Sequence, residues 1–271
     1  MILSSGSAAW AGALPLWVAV ASVLAYAAAA LPLGGRSPWS ASALVLGWLL
    51  HLAVLSLDIG GWGQPTPGAR LGFGPVLSMT VWLVLAVHTV ESRFVPLPKV
   101  RRVLAVVGAA TVMLAWLFPG ETRPVTSPWA PLHFVLGVAS YGLFGAAVLH
   151  AALLGNAERR LRLRVTQPPD GAGMPLLQLE RLTFRFVEAG FAVLTAALVL
   201  GVLTTEHWLW DHKRVFSLLG WAVFAALLAG RRLRGWRGQH ATRWLYAGAV
   251  LLLLAYVGSR FVMEVLLQRG G

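Results

Sequence analysis

Residues 183–204 read TFRFVEAGFAVLTAALVLGVLT, and beyond Glu188 no charged side chain interrupts them before Thr204. A helix crossing the ~30 Å hydrocarbon layer of a bilayer takes roughly 20 predominantly apolar residues, and this stretch supplies them. It lacks the alternation of apolar and polar residues that marks a strand of a transmembrane barrel. In lipid every backbone N–H and C=O must be paired within the protein, so an uninterrupted run of this kind has to be a helix. Comparable runs occupy 10–33, 41–57, 73–92, 100–118, 132–154, 214–230 and 243–267. The chain therefore reads as an all-α polytopic membrane protein of about eight transmembrane helices. The runs follow one another along residues 1–271, which reads as a single helical domain.

Composition supports that assignment. Hydrophobic residues make up 58% of the chain and charged residues 12%, against roughly 45–50% and 25% in a soluble domain. The net charge of +12 does not point to nucleic acid, because the basic residues are sorted by loop. Sixteen of the 22 Lys and Arg flank or fill the loops after the first, third, fifth and seventh spans; examples are Arg93, Lys99, Arg101, Arg102, Arg159, Arg160, Arg231 and Arg232. The positive-inside rule makes these loops cytoplasmic and turns both termini outward. No Lys or Arg precedes Arg36, so the basic region of a secretory signal is missing and the first span is expected to be retained. The loop at about 155–182, with Pro168, Pro169 and Gly171, reads as a solvated linker. No Walker pattern is present. The absence of cysteine excludes thiolate metal sites, disulfides and Cys-X-X-Cys redox chemistry.

Ionisable groups within spans or at their ends are the places to look for chemistry, because the membrane makes them costly. His51 lies inside the second span, between Leu50 and Leu52. It reads either as a metal ligand or as a core histidine bonded to a neighbouring helix. His133 opens the fifth span at its outer end, and His207 and His212 bracket a loop containing Trp208, Trp210 and Asp211 just before the seventh. Neutral imidazole ligates haem iron, and indole rings stack on a flat macrocycle. His133, His212 and His51 are thus candidate axial ligands, with Trp208, Trp210 and Asp211 as candidate contacts. Indoles also favour membrane interfaces for their own sake, which covers Trp39 and Trp62. His88, His150 and His240 read as packing or solvated residues. Glu188 is expected to pair with Arg185, and Arg260 with Glu264 one helical turn on.

Three stretches carry a family resemblance: the run from His133 to Gly142, the loop Trp208-Leu209-Trp210-Asp211-His212-Lys213, and Ala255-Tyr256-Val257-Gly258-Ser259-Arg260. In this order they resemble the cytochrome c assembly proteins of the CcsA/CcmC/CcmF group, and with Gly235-Trp236-Arg237-Gly238 most of all its YpjD branch. The resemblance implies a haem-handling protein of the bacterial inner membrane that presents haem at the periplasmic face. The implied cofactor is haem b, and the implied partners are membrane lipid, other cytochrome c assembly proteins and apocytochrome c. It matches His51 to the family's intramembrane histidine and His133 to its first external histidine. Trp208, Trp210 and Asp211 match the end of its tryptophan-rich segment, and Lys213 matches the lysine that follows. Thr204-Thr205-Glu206-His207 stands where that segment begins with Trp-Gly. Ala229-Gly230 stands near the place of the second intramembrane histidine, and none follows Tyr256-Val257-Gly258 where the second external one is expected.

Two function classes emerge. One is a haem carrier or assembly factor. The other, suggested by the incomplete ligand set, is a non-catalytic membrane subunit regulating a partner such as an ion transporter. An enzyme is the weakest reading, because no nucleophile or general acid–base pair is visible.

Overall fold

The computed structural model describes residues 4–32, 38–60, 69–70, 72–93, 97–120, 122–123, 128–163, 175–204 and 211–262. Its helices are α1 (Ser4–Ala30), α2 (Pro38–Ile59), α3 (Phe73–Glu91), α4 (Pro98–Leu117), α5 (Ala130–Arg162), α6 (Leu176–Thr204), α7 (His212–Arg234) and α8 (Gly238–Leu253). The last continues through a π-helical turn, Leu254–Gly258, into Ser259–Phe261. Seven of these helices are long and apolar enough to span a bilayer, and α1 contributes a shorter apolar stretch, Leu14–Ala30. The chain is a polytopic helical membrane protein, as its apolar runs require. The β-structure among the described residues is a pair of two-residue strands, β1 (Ala69–Arg70) and β2 (Thr122–Arg123), paired antiparallel with Ala69 opposite Arg123.

Two helices outrun the apolar stretches that announced them. Helix α5 continues from residue 154 to Arg162, and α6 begins at Leu176 rather than 183. The expected linker at 155–182 is thus helical at both ends, while 164–174 lie outside the described residues. Hydropathy marks where a helix leaves lipid, whereas Arg, Leu, Gln and Glu remain good helix formers in water. At ~1.5 Å per residue, the 33 residues of α5 run roughly 50 Å, well beyond the hydrocarbon layer. Arg159, Arg160 and Arg162 in its last turn also suit the negative end of the helix dipole.

The chain divides into two compact units, Met1–Thr126 with Arg260–Gly271, and Ser127–Ser259. In the first, α1 packs against α2 and α4, and α3 against α4 and α2. Association of helices in lipid relies on close packing and interhelical hydrogen bonds rather than on the hydrophobic effect. Tyr26 of α1 shows how this is met. Its ring lies over two glycines, where an added Cβ would come within 2.8 Å at Gly47 and 3.0 Å at Gly108. Below it, the Ser22 hydroxyl donates to the Gly47 carbonyl at 3.0 Å. The Tyr26 hydroxyl meets His51 Nδ1 at 3.0 Å, and His51 Nε2 meets Ser78 Oγ at 2.7 Å. One turn away, the Trp48 and Trp82 indoles stack at 5.0 Å, and each Nε1–H donates to the other residue's carbonyl.

In the second unit α5 lies along α6, and α7 along α8. Its core is built on Phe144, Phe184, Val187, Leu194, Phe224, Leu227, Leu245 and Leu252. Phe144 and Phe224 stack at 3.9 Å, and each ring has a glycine behind it. A Cβ would come within 3.1 Å of Phe144 at Gly190 and within 2.7 Å of Phe224 at Gly248. Between α6 and α7, Arg231 lies over the Phe184 ring and 3.6 Å from Glu180. Glu188 pairs with Arg232 of α7 at 3.9 Å, not with Arg185 as the sequence suggested; the exposed guanidinium of the adjacent helix reaches it.

Ser78→Ala is expected to leave one nitrogen of the buried His51 without a partner, at a cost of about 1–3 kcal/mol. Tyr26→Phe is expected to act through the other nitrogen in the same direction. Helix loss followed by circular dichroism during SDS titration checks both, and wild-type midpoints in both variants would refute a structural role for this network.

Candidate functional site

The six candidate residues fall in three settings. His51 is fully buried in the middle of α2, and both ring nitrogens are engaged by Tyr26 and Ser78. Iron coordination there would require breaking one of those bonds. Trp208 and Trp210 lie outside the described residues, as do His207 and Glu264. His133, Asp211 and His212 belong to the second unit, at the start of α5 and the start of α7.

His133 sits in the first turn of α5, partly buried, with Nδ1 3.0 Å from the carbonyl oxygen of Ala197 on α6. A carbonyl only accepts, so Nδ1 carries the proton and the neutral ring presents a lone pair at Nε2. That is the second-shell arrangement characteristic of a metal-ligating histidine: one nitrogen donating to a fixed acceptor, the other available as ligand. One turn along α6 from Ala197, Gly201 leaves space for the ring, since a Cβ there would lie 3.0 Å from His133 Cε1. Lys213 is close enough for its charge to act on His133, and its Nζ stands 4.6 Å from the centre of the Tyr256 ring. The start of α7 is thereby tied to the π-helical turn Leu254–Gly258. Such turns inside helices often accompany functional sites. Tyr141 reinforces the same region by donating its hydroxyl to the Leu252 carbonyl.

Asp211 is the N-cap of α7, with extended backbone and a carboxylate oxygen 2.8 Å from the Arg214 N–H. It satisfies one of the donors that a helix start leaves unpaired. His212, the first residue of α7, is exposed. Among the described residues no three His, Asp or Glu side chains gather as they would around a bare metal ion. A haem brings four iron ligands of its own and asks the protein for only one or two more.

The other histidines are placed by packing. His88 is buried in the last turns of α3. His150 bonds the Ala146 carbonyl at 2.8 Å and lies 5.2 Å from Phe186. His240 sits edge-on to Trp236 at 4.5 Å. Trp236 explains the Gly-Trp-Arg-Gly motif. Gly235 and Gly238 take φ values of +67° and +57°, a region that penalises a Cβ. The turn they form folds the indole back over Gly230, where a Cβ would fall 2.4 Å from the ring. Near the place where the resemblance puts a second intramembrane histidine, this chain has a glycine covered by an indole.

The contacts of Gly201, Ala197 and Tyr256 leave little signal in the sequence. Tyr256 stood in one of the three resembling stretches, but nothing in its neighbours showed a contact with Lys213. Ala197 lies 64 residues from His133, and a backbone carbonyl leaves no trace in residue identity.

Comparison with known proteins finds relatives along most of the chain. The chain is 29% identical to the inner membrane protein YpjD of Escherichia coli strain K12, over 86% of its own length and 89% of that protein. It is 28% identical to an uncharacterised 28.8 kDa protein of Azospirillum brasilense, covering 86% and 88%. With the cytochrome c biogenesis protein CcsA of Prochlorococcus marinus it shares 22% identity over 69% and 70% of the two chains. No solved structure matches it. The sequence pattern of the family described as cytochrome C assembly protein matches residues 10–267, nearly the whole chain, which therefore belongs to the cytochrome c assembly protein family.

Proposed function

We propose that this protein holds haem at the end of its second unit formed by the starts of α5 and α7, and presents it at the outer face of the bacterial inner membrane. The observation that carries the reading is His133: its Nδ1–H is held by the Ala197 carbonyl, which leaves Nε2 as the ligand nitrogen. Bound haem would supply the iron centre and a flat apolar surface. The chain's own residues would fix the ring of His133, and Lys213 would place a cation where haem propionates need one. Trp208 and Trp210 would stack on the macrocycle, and His212 is the candidate second ligand. With no cysteine to form thioether bonds, the haem would be held non-covalently, with haem b as the candidate. We give Asp211 the role of helix cap and His51 a role in the polar core. Haem itself and apocytochrome c or other assembly proteins are the partners this reading implies. YpjD is named as an inner membrane protein, and by the positive-inside rule the sorted basic loops would turn both termini of this chain outward.

A second reading, a non-catalytic subunit that regulates a membrane partner such as an ion transporter, is favoured by Trp236 over Gly230, because a ligand position of the wider family is filled there.

Purified from haem-replete cells, the protein is expected to show a Soret band and a b-type pyridine haemochrome near one haem per chain. His133→Ala should abolish the signal, and Gly201→Leu, which crowds the ring, should weaken haem binding by about tenfold or more. A protein that stays colourless after haem is added would overturn the haem reading and leave the regulatory one.

Asp211→Asn should keep both stability and haem, while Asp211→Ala should cost about 1 kcal/mol in SDS unfolding through loss of the cap. Loss of haem in a fully stable Asp211→Asn protein would instead assign that carboxylate to the haem site.

Alkaline phosphatase fused after residue 271 should be active in whole cells, and inactive when fused within 164–174. The reverse pattern would invert the orientation.

A further inference from the structure

At the opposite end of the first unit from the β1–β2 ladder, the start of α2, the end of α3 and the start of α4 line a half-open cavity of about 510 Å³. Its walls are largely apolar, with Leu44, Val45 and Leu49 among them, and its polar groups include Ser42, Thr89, Arg93 and Arg101. Among the described residues no Asp or Glu lines it. Arg101 is the unusual member. Only 8% of its surface is exposed, and its Nε and Nη2 are buried with no hydrogen-bond partner among the described residues. Guanidinium stays charged at any physiological pH, so burial without a counter-charge is costly unless an anion fills the place. Its neighbour Arg102 adds a like charge that an anion would also relieve.

We infer that this cavity binds the phosphate group of an anionic phospholipid, held by the Arg101 fork and by Arg93. The geometry of a guanidinium suits two phosphate oxygens at once. The walls favour a ligand with an apolar tail: Leu46 and Leu49 line the cavity and remain 53% and 50% exposed, so an acyl chain can run from the cavity along α2. The basic loop that contains Arg93, Lys99, Arg101 and Arg102 puts the site on the cytoplasmic leaflet, where anionic lipid is found and where basic pockets between helices take lipid headgroups. The site does not depend on haem.

The test is titration of the full-length protein in dodecyl maltoside with phosphatidylglycerol carrying a fluorophore on its acyl chain, with unlabelled phosphatidylglycerol, phosphatidylcholine or sodium phosphate as competitor. Saturable binding is expected, displaced by phosphatidylglycerol and not by phosphatidylcholine. Arg101→Gln should weaken it by about tenfold or more, the effect of losing a charge-assisted hydrogen bond. Arg93→Gln should weaken it less, and Arg162→Gln, which removes an exposed charge on α5, should leave it unchanged. Equal losses in Arg101→Gln and Arg162→Gln, or equal competition by phosphatidylcholine, would overturn the site. Displacement by low millimolar phosphate would overturn the lipid as its source and assign the cavity to a soluble phosphate. Should Arg101→Gln fail to run as a monodisperse helical protein, the exposed Arg93→Gln decides, and unchanged binding in it would refute the proposal.

Discussion

Inside hydrocarbon a polar group can be satisfied only by another part of the protein, and this constraint organises both units. It makes every span helical, and it then decides what the few polar side chains within those helices do. Ser22 bonds the backbone of α2, and Tyr26, His51 and Ser78 form a continuous chain through three helices. Trp48 and Trp82 exchange bonds with each other's carbonyls. Each of these groups would be an expense if left alone. Paired, they fix the register of one helix against the next, which apolar contact by itself specifies poorly in a solvent as apolar as the side chains.

The same lack of a hydrophobic drive between helices explains why aromatic rings are seated on glycines. Tyr26 rests on Gly47 and Gly108, Phe144 on Gly190, Phe224 on Gly248, and Trp236 on Gly230. Removing a Cβ lets a ring meet backbone, and the gain is dispersion over a large flat surface. These seats carry the first unit around α1 and the second around the stacked Phe144–Phe224 pair. They also make the glycines position-specific in a way that helix propensity, which disfavours glycine, would not suggest.

What the sequence made legible follows the same physics. Apolar length is written in consecutive residues, so the eight helices and their order could be read directly. The full extents of those two helices could not, because their outer turns are polar and hydropathy reports lipid rather than helix. Pairings across helices were the least legible. Glu188 has Arg185 one turn away in sequence, yet meets Arg232 on α7. The partners of His51 stand 25 and 27 residues away, and the two glycines under Tyr26 belong to different helices. Resemblance to a family drew attention to His51 and His133 alike and did not distinguish their surroundings.

Those two histidines show why residue type is too coarse a unit for this site. Both are flanked by apolar residues in sequence and the resemblance pairs both with family histidines, but an imidazole acts as a ligand only through a nitrogen that still has its lone pair. In His51 a hydroxyl faces each nitrogen, and a change of tautomer merely exchanges donor and acceptor, so the ring is held whichever proton it carries. In His133 the partner is a carbonyl, which cannot donate, and that single difference fixes the tautomer and leaves Nε2 uncommitted. Gly201 then keeps the adjoining face of the ring clear. A hydroxyl in place of the Ala197 carbonyl would have left the tautomer open. The chemistry on offer at the start of α5 is therefore set by a backbone atom on another helix.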